Sequence, residues 1–333
     1  SGSGVTVDGV LIKDSAINAS SVSGINRKNY VINGNFDIWQ RGTSFTATGY
    51  TADRWYAIAS GTGTTTISQQ SFTLGQTDVP NEPKYYLRIA KSSGATSGDY
   101  LSSKNESVRT FAGQATVISF YAKASASTTL TPTVRQNFGT GGSPSSVNDV
   151  VKSDISVTTS WQKFTITHTF DSISGKTLGT ANNDHIELFF NIQNAAGDSV
   201  DFAQFQWEKG SVATDFEVRP IGEELSLCQR YFEVTYDTAP STWSGDHYYD
   251  GVMQVYGSSL YIPGQRFSVK KRTSPTVTIY SKTGTSGQIS YNGTSAKSVT
   301  ALIVNSHHIN RLTIGGTSST NAFLIYEADA ELW

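Results

Sequence analysis

The residues best suited to chemistry lie in Ser241-Thr242-Trp243-Ser244-Gly245-Asp246-His247-Tyr248-Tyr249-Asp250-Gly251, a loop-like stretch that combines large aromatics, an imidazole and two carboxylates. That combination suits a sugar. A planar ring matches the apolar C–H face of a pyranose, and the polar groups bond its hydroxyls. Trp243, Asp246, His247, Tyr248 and Tyr249 are the candidate glycan contacts, with Tyr256 and Tyr261 behind them. The same aromatics would also serve as packing under the loop or between copies of the chain. Glycoside cleavage would need two positioned carboxyl groups. Asp246 with Asp250, Asp198 with Asp201, and Glu223 with Glu224 are the available pairs, but none sits in a motif, and a chain with 27 acids carries such pairs by chance. The sequence shows neither a Gly-x-Ser-x-Gly elbow nor a Cys/His constellation. His168, His185 and His247 are scattered, and His307 and His308 would point to opposite faces of a strand. No catalytic residue is assigned, and the chain is expected not to be an enzyme.

Strands must position these groups. Tyr85 to Ala90, Gln114 to Ala124, Ser160 to Phe170 and Val200 to Trp207 are strand-like and separated by Gly/Ser/Asn turns. Ala115, Val117, Phe120 and Ala122 are mixed apolar positions in the second, and Phe164, Ile166, His168 and Phe170 alternate cleanly in the third. Ile186 to Ile192 reads as a short buried run. Asn33-Gly34 opens a tight turn, and Phe36, Ile38 and Trp39 after it read as a strand, with Trp39 and Trp55 inside a sandwich or at its edge. Gly139 to Asn148 and Gly175 to Asp184 read as long loops, free to move or to touch a neighbour. The expected fold class is all-β: a jelly-roll β-sandwich followed by a smaller C-terminal β-sandwich.

The chain of 333 residues exceeds the size at which one core usually stops growing. The expected divisions are a connector over 1–28 with a hairpin around Asp8-Gly9, a jelly roll over 29–219, a short helical connector over 220–235, and a β domain over 236–333. Pro220, Glu223 and Glu224 suit the first turn of that helix, and a strand is expected to follow from Arg230 to Tyr236. Beyond it, Val252 to Tyr256, Ser258 to Ile262, Thr276 to Tyr280, Ser298 to Val304, His308 to Ile314 and Ala322 to Ala330 read as strands, with Asn292-Gly293 as a hairpin turn. Net charge is -2 and only 16% of residues are charged. Without a basic stripe, a nucleic-acid partner is not expected. Without a run of apolar residues long enough to span a bilayer, neither is membrane insertion. One cysteine, Cys228, excludes an intrachain disulfide. Ser1-Gly2-Ser3-Gly4 reads as a linker ahead of the natural sequence, and no signal peptide is visible.

Three ordered stretches carry a family resemblance. They are Asn33-Gly34-Asn35-Phe36-Asp37-Ile38-Trp39-Gln40-Arg41-Gly42 with Ala52-Asp53-Arg54-Trp55, then Gln204-Phe205-Gln206-Trp207-Glu208-Lys209-Gly210 running to Phe216-Glu217-Val218-Arg219-Pro220, then Glu223-Glu224-Leu225-Ser226-Leu227-Cys228-Gln229-Arg230-Tyr231-Phe232-Glu233. Together they resemble tail-fibre and receptor-binding proteins of tailed bacteriophages that carry a jelly roll related to carbohydrate-binding modules. The resemblance implies a homotrimer in the virion tail fibre, outside the cell, that attaches to a host-surface glycan such as lipopolysaccharide or capsule. It implies that the N-terminal segment meets other tail proteins and that the C-terminal β domain is the distal tip. No cofactor is required. A structural calcium is implied near the first and last strands, where Asp37 and Asp201 supply hard oxygen ligands. Two alternatives remain: a spacer or collar without receptor contact, and a glycan depolymerase with an unrecognised carboxylate pair.

Overall fold

A computed structural model describes residues 4–7, 10–13, 28–59, 63–94, 97–236, 252–255, 259–260, 265–291, 295–314 and 320–332. The N-terminal hairpin, β1 (Gly4–Val7) and β2 (Val10–Lys13), pairs Val7 with Val10, as the Asp8-Gly9 signal predicts. Then come β3 (Ser44–Phe45), β4 (Gly49–Tyr50), β5 (Trp55–Ile58), β6 (Thr65–Ser71), β7 (Tyr85–Lys91), β8 (Ser97–Glu106), β9 (Ala115–Ala124), β10 (Thr128–Asn137), β11 (Asn148–Val151), β12 (Ile155–Val157), β13 (Gln162–Thr169), β14 (His185–Asn194) and β15 (Ser199–Lys209). They form two antiparallel sheets. One has the order β11-β10-β14-β8-β5-β4, with β12 also on β10, and the other has the order β13-β9-β15-β7-β6-β3. The strand residues alternate between faces, so each sheet turns one set inward. Ile186, Leu188, Phe190 and Ile192 meet Ile118, Phe120, Phe202, Phe205 and Trp207 in one core. At its centre the rings of Phe120 and Phe205 stack at 4.8 Å.

The three quoted stretches meet in space. Asn33, at φ 58°, bonds the Ile38 N–H through its Oδ1, and its Nδ2 donates to the carbonyls of Ile38 and Asp53. Asn33 thereby replaces ladder partners, so Phe36 to Trp39 form an irregular segment rather than the expected strand. Phe36 still fills the core, as do Ile38 and Trp55, while Trp39 packs at its margin. The Phe205 N–H donates to the Gly34 carbonyl at 2.8 Å. The Asn33 N–H donates to Glu224 in the helix α1 (Ile221–Gln229), and Arg219 pairs with the same carboxylate at 3.1 Å. Burial of Glu224 and Cys228 turns one face of this short helix against the sandwich.

The chain continues through β16 (Phe232–Val234), β17 (Val252–Val255), β18 (Ser259–Leu260), β19 (Gln265–Arg266), β20 (Thr276–Tyr280), β21 (Gln288–Tyr291), β22 (Ser295–Val304), β23 (His308–Ile314), β24 (Thr320–Phe323) and β25 (Ile325–Asp329). β16-β25-β20 form one sheet, and β17-β24-β21-β22-β23-β18, with β19 on β23, form another. Phe267, Ile279, Ile289, Ile309, Leu312 and Tyr326 make their core. The expected strand Ala322 to Ala330 is two strands, because the chain changes partner sheet at Leu324. Gln288–Tyr291 is a strand that sequence reading missed. The Gly139 and Gly175 loops, expected to move or to touch a neighbour, pair with each other: Gly179 donates to Phe138 and Ala181 to Thr140. Among the described residues, no helix is long and apolar enough to cross a membrane.

Glu106 at the end of β8 ties the sandwich to the C-terminal unit through two bonds from Arg230, at 2.9 and 2.8 Å. Burial pushes its carboxyl up, but the Arg230 and Tyr231 hydrogen bonds outweigh this and hold it below its ordinary 4.5. A depressed carboxyl stabilises the fold above its unfolded value, and that contribution fades as pH falls through the folded value. The melting-temperature difference between the native chain and Glu106→Gln should therefore shrink from about pH 6 to about pH 3. A pH-independent difference would show that the pair does not hold the two parts together.

Candidate functional site

The outer face of the β11-β10-β14-β8-β5 sheet carries a groove of about 340 Å³. The strand registers build it row by row. One row runs Tyr56, Ser102, Phe189, Thr133, Val151, and the next runs Lys104, Glu187, Arg135, Asp149. Flanking rows add Ile58, Tyr100 and Asn191 on one side, and Glu106, His185 and Asn137 on the other. Rings thus alternate with hydrogen-bonding groups across a single sheet face.

Phe189 sits 6.3 Å from Tyr100, and the Arg135 guanidinium lies 4.9 Å over the Phe189 ring. Arg135 donates to Asp149 at 2.6 and 2.8 Å and to Glu187 at 3.1 Å. The Arg135 hydrogen bond holds the Asp149 carboxyl below its usual range, and the pair raises the guanidinium in turn. His185 lies 2.9 Å from the Asn183 carbonyl through Nδ1, so Nδ1 carries the proton and Nε2, 4.0 Å from Glu187, is left as an acceptor. Burial lowers the His185 pKa and keeps the ring neutral near pH 7. Burial also lowers the Lys104 pKa, and its ammonium donates to the Leu332 carbonyl at 3.0 Å. The groove is therefore a fixed array of rings, donors and acceptors with balanced charge. Such an array can hold an uncharged polyhydroxylated ligand.

Trp243, Asp246, His247, Tyr248 and Tyr249, with Tyr256 and Tyr261, lie outside the described residues, as do Asp250 and the Asn292-Gly293 turn. Asp201 lies on the outer face of the opposite sheet, where Arg88 donates to both of its oxygens at 2.7 and 2.8 Å and Lys123 approaches to 3.9 Å. Asp201 is thus an ion-pair partner in this structure. Asp37 accepts from Asn35 at 2.9 Å, and burial raises its pKa. No three His, Cys, Asp or Glu side chains gather around a metal position among the described residues. Near Asp201, Phe72, Tyr86 and Trp161 pack on one another at 4.8 to 5.5 Å, closing that aromatic cluster on itself. Asp198 accepts from Ser125, and His168 packs edge-on against Phe170, where burial lowers it to about 4.

The sequence reading missed the groove. The signal was the strand His185–Asn194, which reads as a buried run only if its polar members are ignored. His185, Glu187, Phe189 and Asn191 alternate with Ile186, Leu188, Phe190 and Ile192, the mark of a strand with one outward face and one core face.

No family model matches the chain, and no curated protein matches it. Among solved structures it is similar to the enzymatically active domain of tailspike protein 4 of bacteriophage CBA120, at 13% identity and a TM-score of 0.37, over 55% of this chain and 21% of that one. It is also similar to TmCBM61, solved with β-1,4-galactotriose, at 12% identity and a TM-score of 0.34, over 55% of this chain and 100% of that one. A third is the CBM22-1 xylan-binding domain of Paenibacillus barcinonensis Xyn10C, at 18% identity and a TM-score of 0.32, over 51% and 94%. The chain thus spans about a fifth of the tailspike's length.

Proposed function

We propose that the chain binds a glycan in the groove on the β14 sheet and does not cleave it. The observation that carries this reading is the placement of Tyr56, Tyr100 and Phe189 beside Arg135, Glu187 and Asn137 on one sheet face. Binding without cleavage is supported by the placement of the groove carboxylates: Glu187 and Asp149 both pair with Arg135 in one row of the sheet. The finer reading rests on the three quoted sequence stretches. In it the chain is the receptor-binding part of a bacteriophage tail fibre, acts as a homotrimer in the virion, and adsorbs to lipopolysaccharide or capsule. Linked copies would convert weak single sites into firm attachment. The Trp243 to Tyr249 stretch would add a contact at the tip.

An array of bacterial surface polysaccharides tests this. Tyr100→Ala and Phe189→Ala should each weaken retention roughly tenfold, as truncation of a buried aromatic contact does. Trp243→Ala reports on the tip contact separately. Retention unchanged by both groove variants would sink the groove as the site. Release of short sugars from a retained polymer would overturn the non-catalytic reading.

A further inference from the structure

We infer that the groove receives the end of a glycan chain rather than its middle, because the C-terminal unit walls it off. This rests on the glycan reading above and specifies its ligand. Tyr50 pairs with Tyr56 across β4 and β5, so the two side chains share the groove face. The Leu332 carbonyl accepts from the Tyr50 hydroxyl at 2.8 Å and from the Lys104 ammonium at 3.0 Å. A carbonyl bonded to two side chains of one sheet face must lie above that face. The segment Ala330–Leu332, buried throughout, therefore crosses the sheet where a ligand running over the strands from β11 toward β4 would continue.

A ligand running along the strands meets the same unit. At the His185 end, Glu106 is paired with Arg230, and Arg272 donates to the Asn182 carbonyl at 3.2 Å. Among the described residues the opposite sides are open: Ile58 is 37% exposed, and Val151, on the β11 edge, is 66% exposed. Either course through the groove is open at one end and blocked at the other. A polymer threading through would have to displace segments held by Arg230, Arg272, Tyr50 and Lys104, whereas a terminal sugar stops against them. The matched charges of the Asp149, Arg135, Glu187 and Lys104 row favour an uncharged terminal unit.

The test uses the full chain and an array of neutral oligosaccharides. The best-retained oligosaccharide is then compared in three forms: free, as the end of a longer chain, and inside a longer chain capped at both ends by an unrelated sugar. The first two should bind alike, and the internal form should bind at least about tenfold more weakly. In Arg230→Ala with Arg272→Ala, both outside the groove floor, that gap should narrow because the wall is loosened, while Phe189→Ala should weaken all three forms together. Equal binding of the internal form would overturn the end wall and leave the groove reading intact. Failure to retain any oligosaccharide would overturn the neutral-glycan groove itself.

Discussion

Gly34→Ala is expected to be among the most damaging single substitutions in the sandwich. A methyl at this position would sit 2.1 Å from the Phe205 carbonyl oxygen and 3.3 Å from the Asn29 amide nitrogen. Neither neighbour is free to yield. The Phe205 carbonyl accepts from Asn29 at 2.9 Å, and the Phe205 N–H is spent on Gly34 at 2.8 Å. These bonds hold the irregular part of β15, where Gln204 takes φ 50° and the register shifts between Ala203 and Gln206, so that Phe205 turns into the core. Relieving the clash means moving that bulge and the ring stacked on Phe120. The expected cost is about 3 kcal/mol, roughly 10 °C in the melting temperature of a domain this size. Gly49→Ala is the control: an added methyl there meets nothing within 4 Å, and its melting should be close to native. Equal melting of the two variants would show that the approach of Gly34 to Phe205 is not made.

Glu331→Ala is expected to release the C-terminal unit from the sandwich. The Glu331 side chain is fully buried, and it takes a salt bridge from Arg54 and a second from Arg41 at 3.3 Å. Arg54 is equally buried, with its guanidinium 3.4 Å over the Tyr231 ring, and Arg41 lies 3.5 Å over Phe232. The sandwich thus contributes both cations, and the C-terminal unit contributes the acid and the rings. Burial pushes the Glu331 carboxyl up, against the pull of Arg54 and Arg41. A carboxyl raised in the folded state favours folding below its unfolded value, and that contribution is lost as pH rises through the folded value. Removing the acid leaves an unpaired buried guanidinium, at a cost of about 3 to 5 kcal/mol. Arg54→Ala on top of Glu331→Ala should cost much less than the sum of the two, because each single change strands the other's charge. Additive losses in thermal unfolding would show that the pair is not formed.

Much of the fold was legible because strand alternation is a local property. Thr276–Tyr280 and His308–Ile314 have the boundaries the sequence predicts, and the helix begins after Pro220 with acids in its first turn. The failures have physical causes. Phe36 to Trp39 has strand composition, yet the Asn33 side chain supplies the bonds a ladder would have given. In β9 the residues facing the core are Ile118, Phe120, Ala122 and Ala124, while Val117 is buried from the other face. Composition cannot separate these cases, since an apolar residue buried on either face of a sheet reads the same in sequence.

The sequence by itself determined the all-β class and the pairing of apolar alternation with a core. Those follow from side chains pointing to opposite faces at each step along a strand. Only the tertiary structure decided which sheet face carries the groove. Tyr56, Tyr100, Arg135 and Phe189 come from four separate strands, and their adjacency depends on strand order and register rather than on neighbours in sequence. The same holds for the wall above the groove, where Tyr50 bonds the Leu332 carbonyl across 282 residues of sequence. Local patterning cannot encode a contact that long, because it joins segments of two units with different cores.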